Sequence, residues 1–97
     1  MKTLETTCPI TKVAQLLSDT WTMLIMHALI TGPKRFCELE RELPGISTRT
    51  LTSKLKKLEE EELVCKNVAT GHYEATKRGA GLKLIESAMM EYEKKYL

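Results

Sequence analysis

No long uncharged apolar run occurs in this 97-residue chain, so nothing in it approaches the ~20 residues that span a bilayer. The opening Met1-Lys2-Thr3-Leu4-Glu5 lacks the apolar stretch of a secretory signal, and a cytoplasmic location with no membrane partner is expected. Cysteine is scarce. Cys8, Cys37 and Cys65 are odd in number and widely separated, which excludes a CxxC pair and a disulfide framework and leaves reduced thiols as the expectation. Together with His27 and His72 they show none of the close spacings of a zinc site. No metal and no cofactor is therefore expected. A Ser/His/Asp set, paired acids and a glycine-rich phosphate loop are also missing, which argues against an enzyme. With no internal repeat, low-complexity tract or Gly/Ser-rich linker, residues 1–97 are expected to form one domain.

A strong excess of charge of either sign is absent too. Fifteen basic residues stand against thirteen acidic ones, a net charge of only +2. Any nucleic-acid footprint must then come from local clustering. Clustering is present. Residues 1–46 carry five cations and five anions, whereas residues 47–58 carry Arg49, Lys54, Lys56 and Lys57 and no anion.

That second segment is the most informative stretch of the chain. Gly45 supplies a turn and Ser47 a hydroxyl placed to cap a helix. Leu51, Leu55 and Leu58 follow at i, i+4 and i+7, one narrow apolar stripe on a helix that turns about 100° per residue. Arg49, Ser53 and Lys56 point away from that stripe, with Thr52 and Lys57 on its flanks. A leucine seam backed by Ser, Thr, Arg and Lys suits a phosphate-lined groove with polar base edges. The bland alternative is a basic face that is only solvated.

The surrounding pattern decides between them. Ile10, Val13, Leu16 and Leu17 predict a first helix at about 10–18, with Pro9 at its start. Asp19 or Thr20 is placed to cap a second, from Trp21 to Ile30, whose Leu24, Ile25, Ala28 and Leu29 are expected in the core. Thr31-Gly32-Pro33 stops it. A third helix over about 35–43 carries Phe36, Leu39 and Leu43, and Pro44-Gly45 turns into the basic helix at about 48–61, a helix-turn-helix. Leu63 to Val68 and His72 to Ala75 predict a hairpin around Gly71, where a wing belongs. Thr76 then caps a long helix at about 77–96. Its Leu82, Ile85, Met89, Tyr92 and Tyr96 form a heptad-like seam suited to a second chain. The alternative is a helix lying across its own domain. The expected fold is mainly α with a small β-hairpin wing, a winged helix-turn-helix whose terminal helices form a dimer interface.

Several blocks in order resemble the HxlR-type transcriptional regulators: Cys8-Pro9-Ile10, Trp21 to Ile25, Gly32 to Leu39, Pro44 to Thr52, Leu55 to Glu59 and Tyr73 to Gly79. The resemblance covers roughly residues 8–85. It implies a homodimeric winged-helix DNA-binding regulator without catalytic activity. It also implies that Cys8 matches the position that serves in some members as a redox or electrophile sensor. Family wings are usually longer, often with a proline pair, whereas residues 68–72 are short and hold no proline. Deep minor-groove insertion by this wing is not expected.

On this reading the partner is double-stranded DNA. Arg49, near the start of the recognition helix, is the candidate base reader, since arginine pairs bidentately with guanine; a phosphate clamp or a carboxylate pair is the other possibility. Thr48, Thr52 and Ser53 are short donors for base or phosphate, and Ser47 is first a cap. Lys56 and Lys57 should meet phosphates, as should Lys34 and Arg35 at the start of the third helix, with Lys66 and His72 on the wing. Cys8 is a possible sensor, because a helix N-terminus lowers a thiol pKa; the alternative is a packing residue at a dimer seam. The dimer interface is expected from Leu4, Ile10, Val13, Leu82, Ile85, Met89, Tyr92 and Tyr96. Cys37 and Cys65 are expected to be packing residues, His27 a satisfied core or interface residue, and Trp21 a core anchor. The competing class is a winged-helix module for protein partners that never touches DNA; the basic helix argues against it, because interface cores are depleted in lysine. No effector is legible in the residues.

Overall fold

Asp19 starts the central helix of the fold. In a computed structural model, which describes residues 7–17 and 19–97, its carboxylate accepts the Thr22 N–H at 2.8 Å and caps α2 (Thr20–Ile30). Before it lies α1 (Pro9–Leu16), with proline at its first position and no buried residue. Ile25, Met26, Ala28 and Leu29 of α2 are buried, and Trp21 packs half-buried against them. Leu24, expected in the core, is 40% exposed. At 100° per residue it falls roughly opposite Met26 and Leu29 on the helix, so it faces outward with His27. The predicted dimer residue Leu4 lies outside the described residues.

Next come α3 (Phe36–Glu42) and α4 (Thr48–Glu60). Gly45 turns the chain between them at φ +91°, a conformation in which a side chain is strained. Ser47 Oγ accepts the Thr50 N–H at 3.0 Å and caps α4. Leu51, Leu55 and Leu58 are buried, as their spacing requires. The hairpin follows as β1 (Val64–Lys66) and β2 (Tyr73–Ala75), antiparallel, with Val64 opposite Ala75 and Lys66 opposite Tyr73. A third pairing has no signature in the sequence. Lys34 N donates to Tyr73 O at 3.0 Å, and Tyr73 N donates to Lys34 O at 2.7 Å. A single residue between Pro33 and Arg35 is too short for any periodic pattern.

The last predicted helix is broken. It consists of α5 (Lys77–Ala80), capped by Thr76, and α6 (Lys83–Tyr96), separated at Gly81-Leu82. Gly79 makes the packing possible: a Cβ there would run into the Leu63 carbonyl and lie 2.8 Å from Met26 Cε. The break turns Leu82 into the core, where it is buried, and leaves Ile85 packed against it. Both were expected at a dimer seam; they are used inside their own chain. Cys37 and Cys65, expected to pack, are exposed. Cys65 alternates with buried Val64 along the strand, and Cys37 lies away from buried Leu39 on α3. Four helices, a hairpin and a closing helical pair make a winged helix-turn-helix.

Candidate nucleic-acid interface

Helix α4 presents its hydrophilic side outward because three leucines fix the opposite side. Arg49, Ser53, Lys56 and Lys57 are exposed. The hydroxyls of Ser47, Thr48, Thr50 and Thr52 are already engaged within the protein. Ser47 caps and also donates to Thr50 Oγ1 at 2.9 Å. Thr48 Oγ1 donates to Glu40 Oε2 at 2.7 Å, and Thr52 Oγ1 donates to the Thr48 carbonyl at 2.8 Å. Glu40 of α3 thereby pins the start of α4. No sequence signal foretold it, because the pairing spans the turn between two helices.

Lys54 belongs to the basic run but not to the outward face. Its ammonium pairs with the Asp19 carboxylate at the start of α2. Partial burial pushes that carboxyl upward, yet the Lys54 ammonium and the Thr22 N–H outweigh it and hold Asp19 below the ordinary carboxylate range. The outward cations of α4 are therefore Arg49, Lys56 and Lys57.

The start of α3 lies beside the wing. Arg35 is exposed, and its Nη1 lies 3.7 Å from where a Gly71 Cβ would stand. Its N–H donates to Glu38 Oε1 at 2.8 Å, the main reason the Glu38 carboxyl sits below its ordinary value. Lys34 is mostly covered, with its ammonium 3.5 Å from Glu42 Oε1, so its backbone bridge to Tyr73 is the firmer of its roles. On the wing, Lys66 reaches over the Tyr73 ring with its ammonium 5.4 Å from the centroid, and His72 is half-buried. Asn67 Oδ1 accepts the N–H groups of Ala69 at 3.0 Å and Thr70 at 3.3 Å, which folds the wing tip tightly and leaves Val68 93% exposed. Arg35, the wing and the start of α4 thus come from three separate parts of the sequence.

Cys8 stands just before α1 and is exposed. The Thr11 N–H, joined by the Thr11 hydroxyl and the Ile10 N–H, holds its thiol below the ordinary value. On α1, Ile10 is 77% exposed and Val13 37% exposed; Met89, Tyr92 and Tyr96 of α6 are exposed as well. The Tyr92 and Tyr96 rings lie 5.0 Å apart. Among the described residues no group of His, Cys, Asp and Glu could hold a metal ion, and no single helix is long and apolar enough to cross a membrane.

Known proteins resemble the chain at this level of detail. The HxlR-like helix-turn-helix family matches residues 16–97. The HTH-type transcriptional regulator YodB of Bacillus subtilis is 35% identical over 94 residues, covering 91% of this chain and 84% of the relative. An HTH-type regulator of Synechocystis, sll1512, is 34% identical over 87 residues, 84% of this chain and 64% of the relative. Among solved structures, quinone-bound YodB superposes with a TM-score of 0.84 at 34% identity, covering 92% of this chain and all of the other. The reduced form of the redox regulator HypR superposes with a TM-score of 0.82 at 28% identity, covering 90% and 91%. Fold, motif order and sequence likeness agree, and the chain belongs to the HxlR-like helix-turn-helix family of transcriptional regulators.

Proposed function

We propose that this regulator reads a duplex with α4 in the major groove, acting as one cytoplasmic domain without catalysis. The observation that carries the reading is the outward face of α4, where Arg49, Ser53, Lys56 and Lys57 are exposed above a buried leucine seam. Arg49 is the base reader, Lys56 and Lys57 hold phosphates, and Arg35, Lys66 and His72 extend the contact to the backbone beside the wing. Thr48 and Thr52, already bonded internally, shape the helix start and have lone pairs left for base donors. Two chains pair through α1 and the distal part of α6, which presents Met89, Tyr92 and Tyr96. A two-fold dimer places two recognition helices on an inverted repeat with half-sites ~10–10.5 bp apart, or a multiple of that. Duplexes selected from a random pool, then titrated by fluorescence anisotropy, test the reading. The parent should bind an inverted repeat, and Arg49→Ala should lose ~1–3 kcal/mol and relax choice at one base position. Unchanged affinity and preference in Arg49→Ala would remove α4 as the reader.

The exposed, acidified thiol of Cys8 supports a second element of the same function, a thiol switch. Its effector class would be quinones or thiol oxidants, as the quinone-bound relative suggests. Modification at the start of α1 would act on the proposed dimer face and so on the spacing of the two recognition helices.

A further inference from the structure

Thr48 and Thr52 stand one turn apart at the start of α4, and both are exposed, yet neither has its hydroxyl proton to spare. Thr48 Oγ1 donates to Glu40 Oε2 of α3 at 2.7 Å, and Thr52 Oγ1 donates to the Thr48 carbonyl at 2.8 Å. The direction of both bonds is fixed, because an ionised carboxylate and a carbonyl only accept. The Thr48 bond is also charge-assisted and about twice as strong as a neutral one, so a base carbonyl competes poorly for that proton. What each threonine still shows to solvent is lone pairs. Residues at the start of a recognition helix are the ones that reach base edges.

Those edges divide on the same point. Across the middle of the major groove adenine N6 and cytosine N4 donate, whereas guanine O6 and thymine O4 accept. We propose that Glu40 is a positioning residue that makes Thr48 an acceptor-only contact, so that on the strand it faces Thr48 takes adenine or cytosine and refuses guanine or thymine. This rests on the reading of α4 as the helix in the major groove and adds to it a second, opposite choice. Arg49 only donates and takes guanine, while its neighbour only accepts. Thr52 has the same polarity as Thr48, but its proton lies on the helix backbone and does not depend on Glu40.

Duplexes selected from a random pool by the full chain, by Thr48→Val and by Arg49→Ala locate the base pair each side chain reads. At the Thr48 pair the amine or the facing carbonyl oxygen is then removed singly. 2-Aminopurine replaces adenine or guanine, and 2-pyrimidinone or its 5-methyl form replaces cytosine or thymine. The parent should lose about tenfold in affinity without the amine and under about twofold without the carbonyl oxygen, and Thr48→Val should distinguish neither. In Glu40→Gln the amide N–H can donate to Thr48 Oγ1 and free its proton. The amine preference should then shrink to about twofold, while the Arg49 position keeps its choice. A parent that loses more without the carbonyl oxygen than without the amine would overturn the proposal, and so would an unchanged amine preference in Glu40→Gln. If Arg49→Ala relaxes a base and Thr48→Val relaxes none, this inference alone falls. If neither relaxes any, the reading of α4 falls with it.

Discussion

Lys54 of the recognition helix α4 forms an ion pair with Asp19, the residue that caps the core helix α2. One carboxylate thus holds the start of α2 with one oxygen and the middle of α4 with the other. Seating of α4 on the core depends on this contact as well as on its leucines, and the pair removes one cation from those facing outward.

Replacing Asp19 separates its two roles. Asp19→Ala loses cap and pair and should cost ~1–2 kcal/mol, whereas Asp19→Asn keeps a capping oxygen and should cost under ~1 kcal/mol for this partly exposed pair. Asp19 is held below its ordinary pKa in the folded chain, so its contribution is present above the unfolded value of about 4. It fades as pH falls through the folded value. Urea unfolding at pH 7 and pH 3 should therefore show the gap between the parent and Asp19→Asn narrowing in acid; a constant gap would show that the charge is not what stabilises.

Gly79 of α5 lies against Leu63, just before β1, with no room for a methyl group beside the Leu63 carbonyl. Although alanine is the better helix former, Gly79→Ala should destabilise by ~1–3 kcal/mol or more through overpacking. Thermal unfolding reads this directly, and a rise in Tm would refute the packing.

The salt dependence of DNA binding should sort the cations of α4. Lys56→Ala should flatten the slope of log affinity against log salt by about 0.9, because Lys56 is exposed on the outward face. Lys54→Ala should leave that slope nearly unchanged and instead lower stability, because its charge is matched by Asp19. Equal slopes for the parent and Lys56→Ala would take Lys56 off the phosphates.

For the proposed dimer, light scattering should return twice the 11.0 kDa chain mass. Met89→Glu with Tyr92→Glu should yield a folded monomer, since both residues are exposed within the single chain. Ile85→Glu should instead damage the fold, because Ile85 packs against the core. A monomeric parent at micromolar concentration would end the dimer reading.

The proposed switch at Cys8 makes a simple contrast. Diamide or a quinone should change the DNA affinity of the parent and leave Cys8→Ser unmoved, while a variant carrying both Cys37→Ser and Cys65→Ser should still respond. Equal binding by oxidised and reduced parent would leave Cys8 without a regulatory role.

Periodicity and turn chemistry determined the order of elements in this chain. The i, i+4, i+7 leucines of α4, the Ser47 cap and the Pro44-Gly45 turn are local, and local spacing dictates which side of one helix is buried. Along the same lines the family was legible in short ordered blocks. Tertiary structure alone decided what the pattern leaves equivalent. Leu24 and Leu29 are alike in sequence, but once α4 and β2 pack on α2 only Leu29 is buried. Leu82 and Met89 share one heptad-like seam, but the break at Gly81 sends the first inward and leaves the second outside. Lys54 and Lys56 are neighbours of one charge, yet Asp19, 35 residues away from Lys54, takes one and leaves the other exposed. Such pairings depend on how the chain returns on itself, and no window of sequence contains both partners.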